Sequence, residues 1–221
     1  MRRILVAGAT GAVGEQLVMQ LLEQDQEVTV HLLSRRATRW HQHPQVIEHI
    51  LPLSRIADLQ IAEPVNALFC CLGSTIKQAG SASAFKAVDL EAVLALGQWA
   101  SSNGCQQFHV ISSIGVSDRA RGLYLKTKWQ MESGLEALGL NNLVIYQPSL
   151  LVVKRYPRRL AESVAAQFSK LLSWLPGARA WRPIPVSLVA TTMLRIARQI
   201  AAQPNQAAVQ TRRLGSKQMW Q

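Results

Sequence analysis

Ile4-Leu5-Val6-Ala7-Gly8-Ala9-Thr10-Gly11-Ala12-Val13-Gly14 decides how this 221-residue chain folds. Four apolar residues read as a buried strand. Three glycines at three-residue spacing then turn the chain into a helix expected over Glu15–Gln24. Gly8 permits the tight turn, Gly11 lets the backbone approach a pyrophosphate, and Gly14 lets the helix pack closely on the strand. A helix that starts this way aims free N–H groups and its positive dipole end at an anion. Glycines also make ordinary turns; the strand–turn–helix context is what makes this a phosphate-binding pattern.

Outward from that stretch, strands are expected at Val28–Leu33, Val46–Leu51, Ala67–Leu72, Phe108–Ser113 and Leu143–Tyr146. Helices are expected at Phe85–Ser101 and Tyr124–Leu138. Apolar strands alternating with helices predict an α/β fold, a doubly wound, Rossmann-like parallel sheet covered on both faces. After Leu151 the pattern changes. Lys154–Arg159 is a basic turn, Leu160–Leu175 an amphipathic helix stopped by Pro176-Gly177, and Trp181–Pro185 is extended. Val186–Ile200 is a further helix, and the tail from Gln210 reads either as a last strand or as a frayed end. The expected organisation is a single domain, 1–221, in which 152–221 contribute a small cap.

Composition narrows the class. Hydrophobic residues make up 48% and charged residues 17%, which excludes a disordered chain. No apolar run is long enough to span a membrane, and the one behind Arg2-Arg3 ends too soon for a secretion signal. Cys70, Cys71 and Cys105 are an odd, sparse set, so reduced thiols and a cytoplasmic location are expected. Cys70 and Cys71 read as small buried strand residues. The histidines lack metal spacing, and Trp174 and Trp181 read either as core or lid residues or as an interfacial anchor for anionic lipid, the first being preferred. Residues 1–136 balance 12 basic against 12 acidic side chains, so the formal charge of +11 falls wholly in the last 85 residues. That segment either meets an anionic partner or is a solvated basic surface, and the second reading is preferred.

The end of the second strand reads Leu33-Ser34-Arg35-Arg36. An acid there selects NAD by bonding the ribose 2′-hydroxyl. Two arginines instead suit a 2′-phosphate, whose oxygens match the forked guanidinium donors, so NADP(H) is favoured over NAD(H). Further on, Tyr124 and Lys128 stand at i and i+4 on one helix face, behind Ser112 and Ser113 at a strand end. A tyrosine phenol ordinarily titrates near 10, and a neighbouring ammonium favours its phenolate, so the set suits acid/base work at a carbonyl. The serine hydroxyl polarises the substrate oxygen.

Gly8 to Gly14, Ser112-Ser113, Tyr124-x-x-x-Lys128 and Gln147-Pro148-Ser149-Leu150-Leu151 together resemble the short-chain dehydrogenase/reductase superfamily, in its extended and atypical branches. Phe69 to Lys77 and Tyr124 to Lys128 resemble more narrowly the Tat-interacting-protein-type oxidoreductases and their bacterial relatives. The resemblance implies that Gly8, Thr10, Gly11, Ala12, Val13 and Gly14 hold a pyrophosphate and that Arg35 and Arg36 contact the ribose phosphate. It places Leu72, Gly73 and Ser74 at the adenine and ribose, and Pro148 and Leu150 against the nicotinamide. Tyr124 and Lys128 bond the nicotinamide ribose and serve catalysis with Ser113, Ser112 being the alternative. Two departures stand out: relatives often carry Arg where this chain has Gln147, and the third strand ends in Pro52-Leu53 without the usual Asp. The expected function is an NADP(H)-dependent oxidoreductase of a small carbonyl or alcohol substrate. The alternatives are an NADP(H)-sensing regulatory or scaffold protein, and nucleic-acid or membrane binding through the basic segment; nucleic acid is disfavoured.

Overall fold

A computed structural model describes residues 2–153, 182–203 and 210–221. The strand that opens the chain, β1 (Arg3–Ala7), runs through Gly8 into α1 (Ala12–Gln24). There follow β2 (Thr29–Ser34), β3 (Val46–Ile50), β4 (Ala67–Cys70), the short helices α2 (Ile76–Ala79) and α3 (Ala82–Lys86), and α4 (Ala92–Ser102). Then come β5 (Gln107–Ile111), α5 (Leu123–Ala137), β6 (Asn142–Gln147), the two-residue strands β7 (Leu151–Val152) and β8 (Ile184–Pro185), α6 (Val186–Ala201), β9 (Gln210–Gly215) and α7 (Ser216–Met219). Seven strands form one parallel sheet in the order β3-β2-β1-β4-β5-β6-β9. The order reverses between β1 and β4, and such a switch point opens a crevice at the carboxyl ends of the strands.

Strand side chains alternate between two buried faces, as the near-continuous apolar strands require. Ile4, Val6, Val30, Leu32, Phe69, Val144 and Tyr146 pack in one core with the buried faces of α1 and α6. Leu5, Leu68, Phe108, Val110, Leu143 and Ile145 pack in the other with residues of α4 and α5. Two glycines fix the turn between β1 and α1. Gly8 has φ +87°, and a Cβ on it would lie 2.6 Å from the Cys71 carbonyl oxygen. A Cβ on Gly14 would lie 2.2 Å from the Gly8 carbonyl oxygen, so the helix can approach the strand only as glycine.

The structure departs from the sequence expectations in three places. The helix expected over Phe85–Ser101 is broken by a π turn, Ala87–Glu91, between α3 and α4. A π turn carries an extra residue, which rotates the following positions about the helix axis. It leaves Asp89 fully buried. The fifth strand stops at Ile111, so Ser112 and Ser113 lie beyond it. The tail takes the first of its two expected forms, a strand paired in parallel with the whole of β6. Part of the expected cap, 152–221, belongs to the main fold, because α6 packs on α1 and β9 extends the sheet. The basic turn 154–159, the helix expected at 160–175, Trp174 and Trp181 lie outside the described residues.

Candidate functional site

The residues singled out in the sequence gather along the carboxyl ends of β1, β2, β4, β5 and β6. At β1, Gly11 caps α1 and brings no side-chain cap to the helix's first N–H groups. Thr10, Gly11 and Ala12 are exposed there, whereas Val13 and Gly14 are buried. Val13 therefore gives its side chain to the core and offers a ligand only its backbone. At the end of β2, Arg35 and Arg36 are exposed, and Ser34 Oγ donates to the Arg36 carbonyl at 2.8 Å. Among the described residues neither arginine pairs with a carboxylate. Arg39, by contrast, is 3.0 Å from Glu15 and lies over the Trp40 ring.

At the end of β4 the segment Leu72-Gly73-Ser74 meets the π turn. The Ser74 backbone N–H and hydroxyl each donate to Asp89 Oδ2 at 2.8 Å. The other oxygen, Oδ1, lies 2.9 Å from Lys128 Nζ, and both side chains are almost wholly buried. The ammonium also approaches the Ile111 carbonyl oxygen at 3.5 Å. Lys128 thus sits at the end of β5 as half of a desolvated ion pair. Sequence reasoning missed Asp89. Its signal is an acid between Val88 and Leu90 in an apolar helical pattern, since a buried carboxylate needs a cationic partner.

Tyr124 lies one helical turn before Lys128 on α5, half-buried, its ring packed on Phe85 with centroids 5.8 Å apart. The two serines differ. Ser112 is buried and donates to Glu132 Oε1. Ser113 is half-buried, and its hydroxyl makes a long 3.3 Å contact with the Ile114 carbonyl. Ser113 is therefore the one with a hydroxyl free to turn toward a ligand. Next along the rim the Ile114 N–H donates to the Pro148 carbonyl at 3.0 Å, Pro148 is buried, and Leu150 is 43% exposed.

The departure at Gln147 has a local explanation. Buried Glu132 accepts from Gln147 Nε2 at 3.0 and 3.1 Å, and its cationic partner is Arg213 of β9, whose Nε is 3.1 Å away. Arg213 also reaches Glu136 at 2.8 Å. The guanidinium is supplied by the last strand, leaving position 147 free to be neutral.

Other titratable groups are held in their neutral forms. Burial pushes the Cys70 thiol up to about 12 and the Cys105 thiol to about 11, and it raises Cys71 as well, so these cysteines are poor nucleophiles. Burial pushes His109 down to about 3, where its Nδ1 bonds the Tyr146 hydroxyl and its Nε2 the Gln107 amide oxygen, both at 3.0 Å. His31 falls to about 4 through burial and the neighbouring His49, whose Nε2 is 3.0 Å from its Nδ1. No cluster of three His, Cys, Asp or Glu side chains among the described residues could hold a metal.

Comparison with known proteins fits this geometry. Residues 8–161 match a family model described as NAD(P)H-binding. The protein HTATIP2 of Rattus norvegicus is 29% identical over 198 residues, covering 87% of this chain and 80% of that protein. The mitochondrial protein FMP52 of Debaryomyces hansenii is 26% identical over 194 residues, covering 87% and 86%. Among solved structures, MoeE5 in complex with UDP-glucose and NAD superposes with a TM-score of 0.68 over 96% of this chain and 76% of that one; at 17% identity the likeness is one of fold. The fungal relatives overturn the cytoplasmic expectation, since FMP52 of several species is named a mitochondrial protein. The error lay in the thiol argument: unpaired cysteines report a reducing compartment and do not single out the cytosol. No helix among the described residues is long and apolar enough to cross a membrane.

Proposed function

Because this chain belongs to the NAD(P)H-binding family, as an atypical short-chain dehydrogenase/reductase, we propose that it is an NADP(H)-dependent oxidoreductase acting on a small carbonyl or alcohol substrate. The residues present suit the cofactor. The Gly8–Gly14 turn is a backbone cradle that a Cβ would fill, α1 begins without a side-chain cap, and Arg35 and Arg36, exposed beside it, pair with no carboxylate among the described residues. Backbone N–H groups from Gly11 to Gly14 bind the pyrophosphate, the two guanidinium groups bind the 2′-phosphate, and Leu72, Gly73 and Ser74 border the adenosine. Pro148 and Leu150 bound the nicotinamide side and exclude water there. When bound, the cofactor supplies or accepts the hydride.

The protein's part is proton transfer and orientation. Tyr124 Oη gives a proton to the substrate oxygen in reduction and takes it back in oxidation. Lys128 bonds the nicotinamide ribose. Ser113 Oγ donates a hydrogen bond to the substrate oxygen. Asp89 positions Lys128, and through Ser74 it ties the ammonium to the cofactor-side loop. The molecule works as one domain, 1–221, with residues from 152–221 covering the substrate side.

The observation that carries this reading is the buried Asp89–Lys128 pair, which places an ammonium at the rim one helical turn from Tyr124. The test is NADPH oxidation over a carbonyl panel. Turnover that falls by about 10²-fold or more in Tyr124→Phe supports the mechanism, that being the usual worth of a general acid. Turnover retained in Tyr124→Phe removes it, and tight NADPH binding with no turnover on any carbonyl favours a cofactor sensor.

A further inference from the structure

Beyond the cofactor and the proton donor, the rim carries a cation that neither uses. Arg182 is exposed, and its guanidinium carbon lies 4.4 Å from the centre of the Trp220 ring. Resting on the oxidoreductase reading above, we infer that Arg182, stacked on Trp220, binds an anionic group, a carboxylate or a phosphate, on the small carbonyl substrate.

Connectivity places this pair beside the reacting groups. The loop after β5, carrying Ser113, is joined to the loop after β6 by the Ile114-to-Pro148 hydrogen bond. One residue on, Ser149 Oγ donates to the Arg182 carbonyl, while the Ser149 N–H donates to Ser216 Oγ at 2.7 Å. The Ile184 N–H donates to the Leu150 carbonyl at 2.9 Å, fixing the segment that follows Arg182. Trp220 follows α7, which directly follows β9, and α7 is held by the Ser149-to-Ser216 hydrogen bond and by buried Met219 in the core. Along the rim the sequence is therefore Ser113, then Pro148 and the exposed Leu150, then Arg182 and Trp220. Strands are about 4.8 Å apart, so β5 and β9 are separated by roughly 10 Å. That span suits a small molecule with its carbonyl at Ser113, its body over Leu150 and its anion at Arg182.

Charge supports the same assignment. Among the described residues no carboxylate pairs with Arg182, and the last 85 residues contain a single acid, Glu162. The acids of α5, Glu132 and Glu136, are taken by Arg213. An exposed guanidinium whose carbon lies over an indole ring keeps N–H groups for an oxyanion at reduced entropic cost. Stacking fixes the fork without neutralising it, which is what a ligand site requires and what a structural ion pair does not provide.

The test uses the full-length protein and three probes that share one aldehyde: 4-formylbenzoate, its methyl ester, and 4-formylphenyl phosphate. Binding is measured by calorimetry with the oxidised cofactor NADP+ present and again without cofactor, in the parent and in Arg182→Met, whose stem still covers Trp220. One charge-assisted contact predicts that an anionic probe binds roughly tenfold or more tightly than the ester in the parent. It predicts that this advantage disappears in Arg182→Met while NADPH affinity stays unchanged. The rank of benzoate against phosphate identifies the preferred anion. Equal affinity of acids and ester in the parent, including no binding by either, overturns the inference, as does an advantage that survives in Arg182→Met. Loss of NADPH binding in the parent would instead strike the oxidoreductase reading, and the cofactor-free titrations still decide Arg182.

Discussion

Asp89→Asn removes one charge from the pair with Lys128 and almost no volume. At 2.9 Å two opposite unit charges attract by about 6 kcal/mol for an effective dielectric near 20. Little of that is net stability, because both ions were desolvated to make the pair. What the substitution leaves behind is a buried ammonium without its counter-charge, and breaking a buried pair from one side costs about 3–5 kcal/mol. The amide oxygen can still accept from Lys128, and Ser74 is only half-buried, so the lower end is expected. A loss of about 3 kcal/mol lowers Tm by roughly 6–12 °C in a domain of this size. The assay is urea unfolding followed by circular dichroism, run as a cycle with Lys128→Met and the double variant. The double variant is expected to recover at least about 2 kcal/mol of the single loss, because it removes the stranded charge. A single loss below about 1 kcal/mol, or strictly additive singles, would refute the claim that Asp89 and Lys128 form a coupled, desolvated pair.

Five residues give further tests. His109 is held neutral in the fold at about 3 against 6.5 when unfolded, so the unfolded chain binds the extra proton; the stability this confers is full above 6.5 and falls by roughly 1.4 kcal/mol per pH unit between 6.5 and 3. His109→Gln is expected to flatten the dependence of unfolding free energy on pH by about one proton across pH 6 to 4, and an unchanged slope contradicts it. Gly14→Ala brings a methyl within 2.2 Å of a backbone oxygen and is expected to cost several kcal/mol, whereas at Gly73 the nearest atom is a side-chain oxygen 3.7 Å away, so Gly73→Ala should keep Tm or raise it slightly; similar melting of the two variants speaks against the packing argument. Arg213→Met strands Glu132 and is expected to cost about 3 kcal/mol and to speed hydrogen exchange in β9. Adding Gln147→Arg to that variant should restore much of the loss, and no recovery would mean the two positions do not share one role.

The alternation of apolar strands and helices made the doubly wound sheet readable, because each strand buried on both faces shows as a short apolar run. The glycine turn was readable for the same physical reason: Gly8 and Gly14 stand where a Cβ has no room. The tail was ambiguous because β9, Gln210–Gly215, is polar and sits at the sheet's edge, so its pairing with β6 leaves no apolar signature. Asp89 escaped because a π turn shifts the helical phase by one residue, and periodicity assumes that phase is constant. Ser112 and Ser113 look alike in sequence; only the buried Glu132, twenty residues on, separates them. The location failed for another reason, since thiol chemistry reports redox state and not the compartment itself.

The central claim is that this fold holds NADP(H) through the Gly8–Gly14 turn and the Arg35–Arg36 pair. The direct measurement is calorimetric titration of the full chain with NADPH and NADH, in the parent and in Arg35→Ala/Arg36→Ala. NADPH is expected to bind about tenfold or more tightly than NADH, and the double substitution to erase the difference by weakening NADPH alone. Equal binding of the two in the parent, tighter binding of NADH, or a preference that survives without both arginines would contradict it.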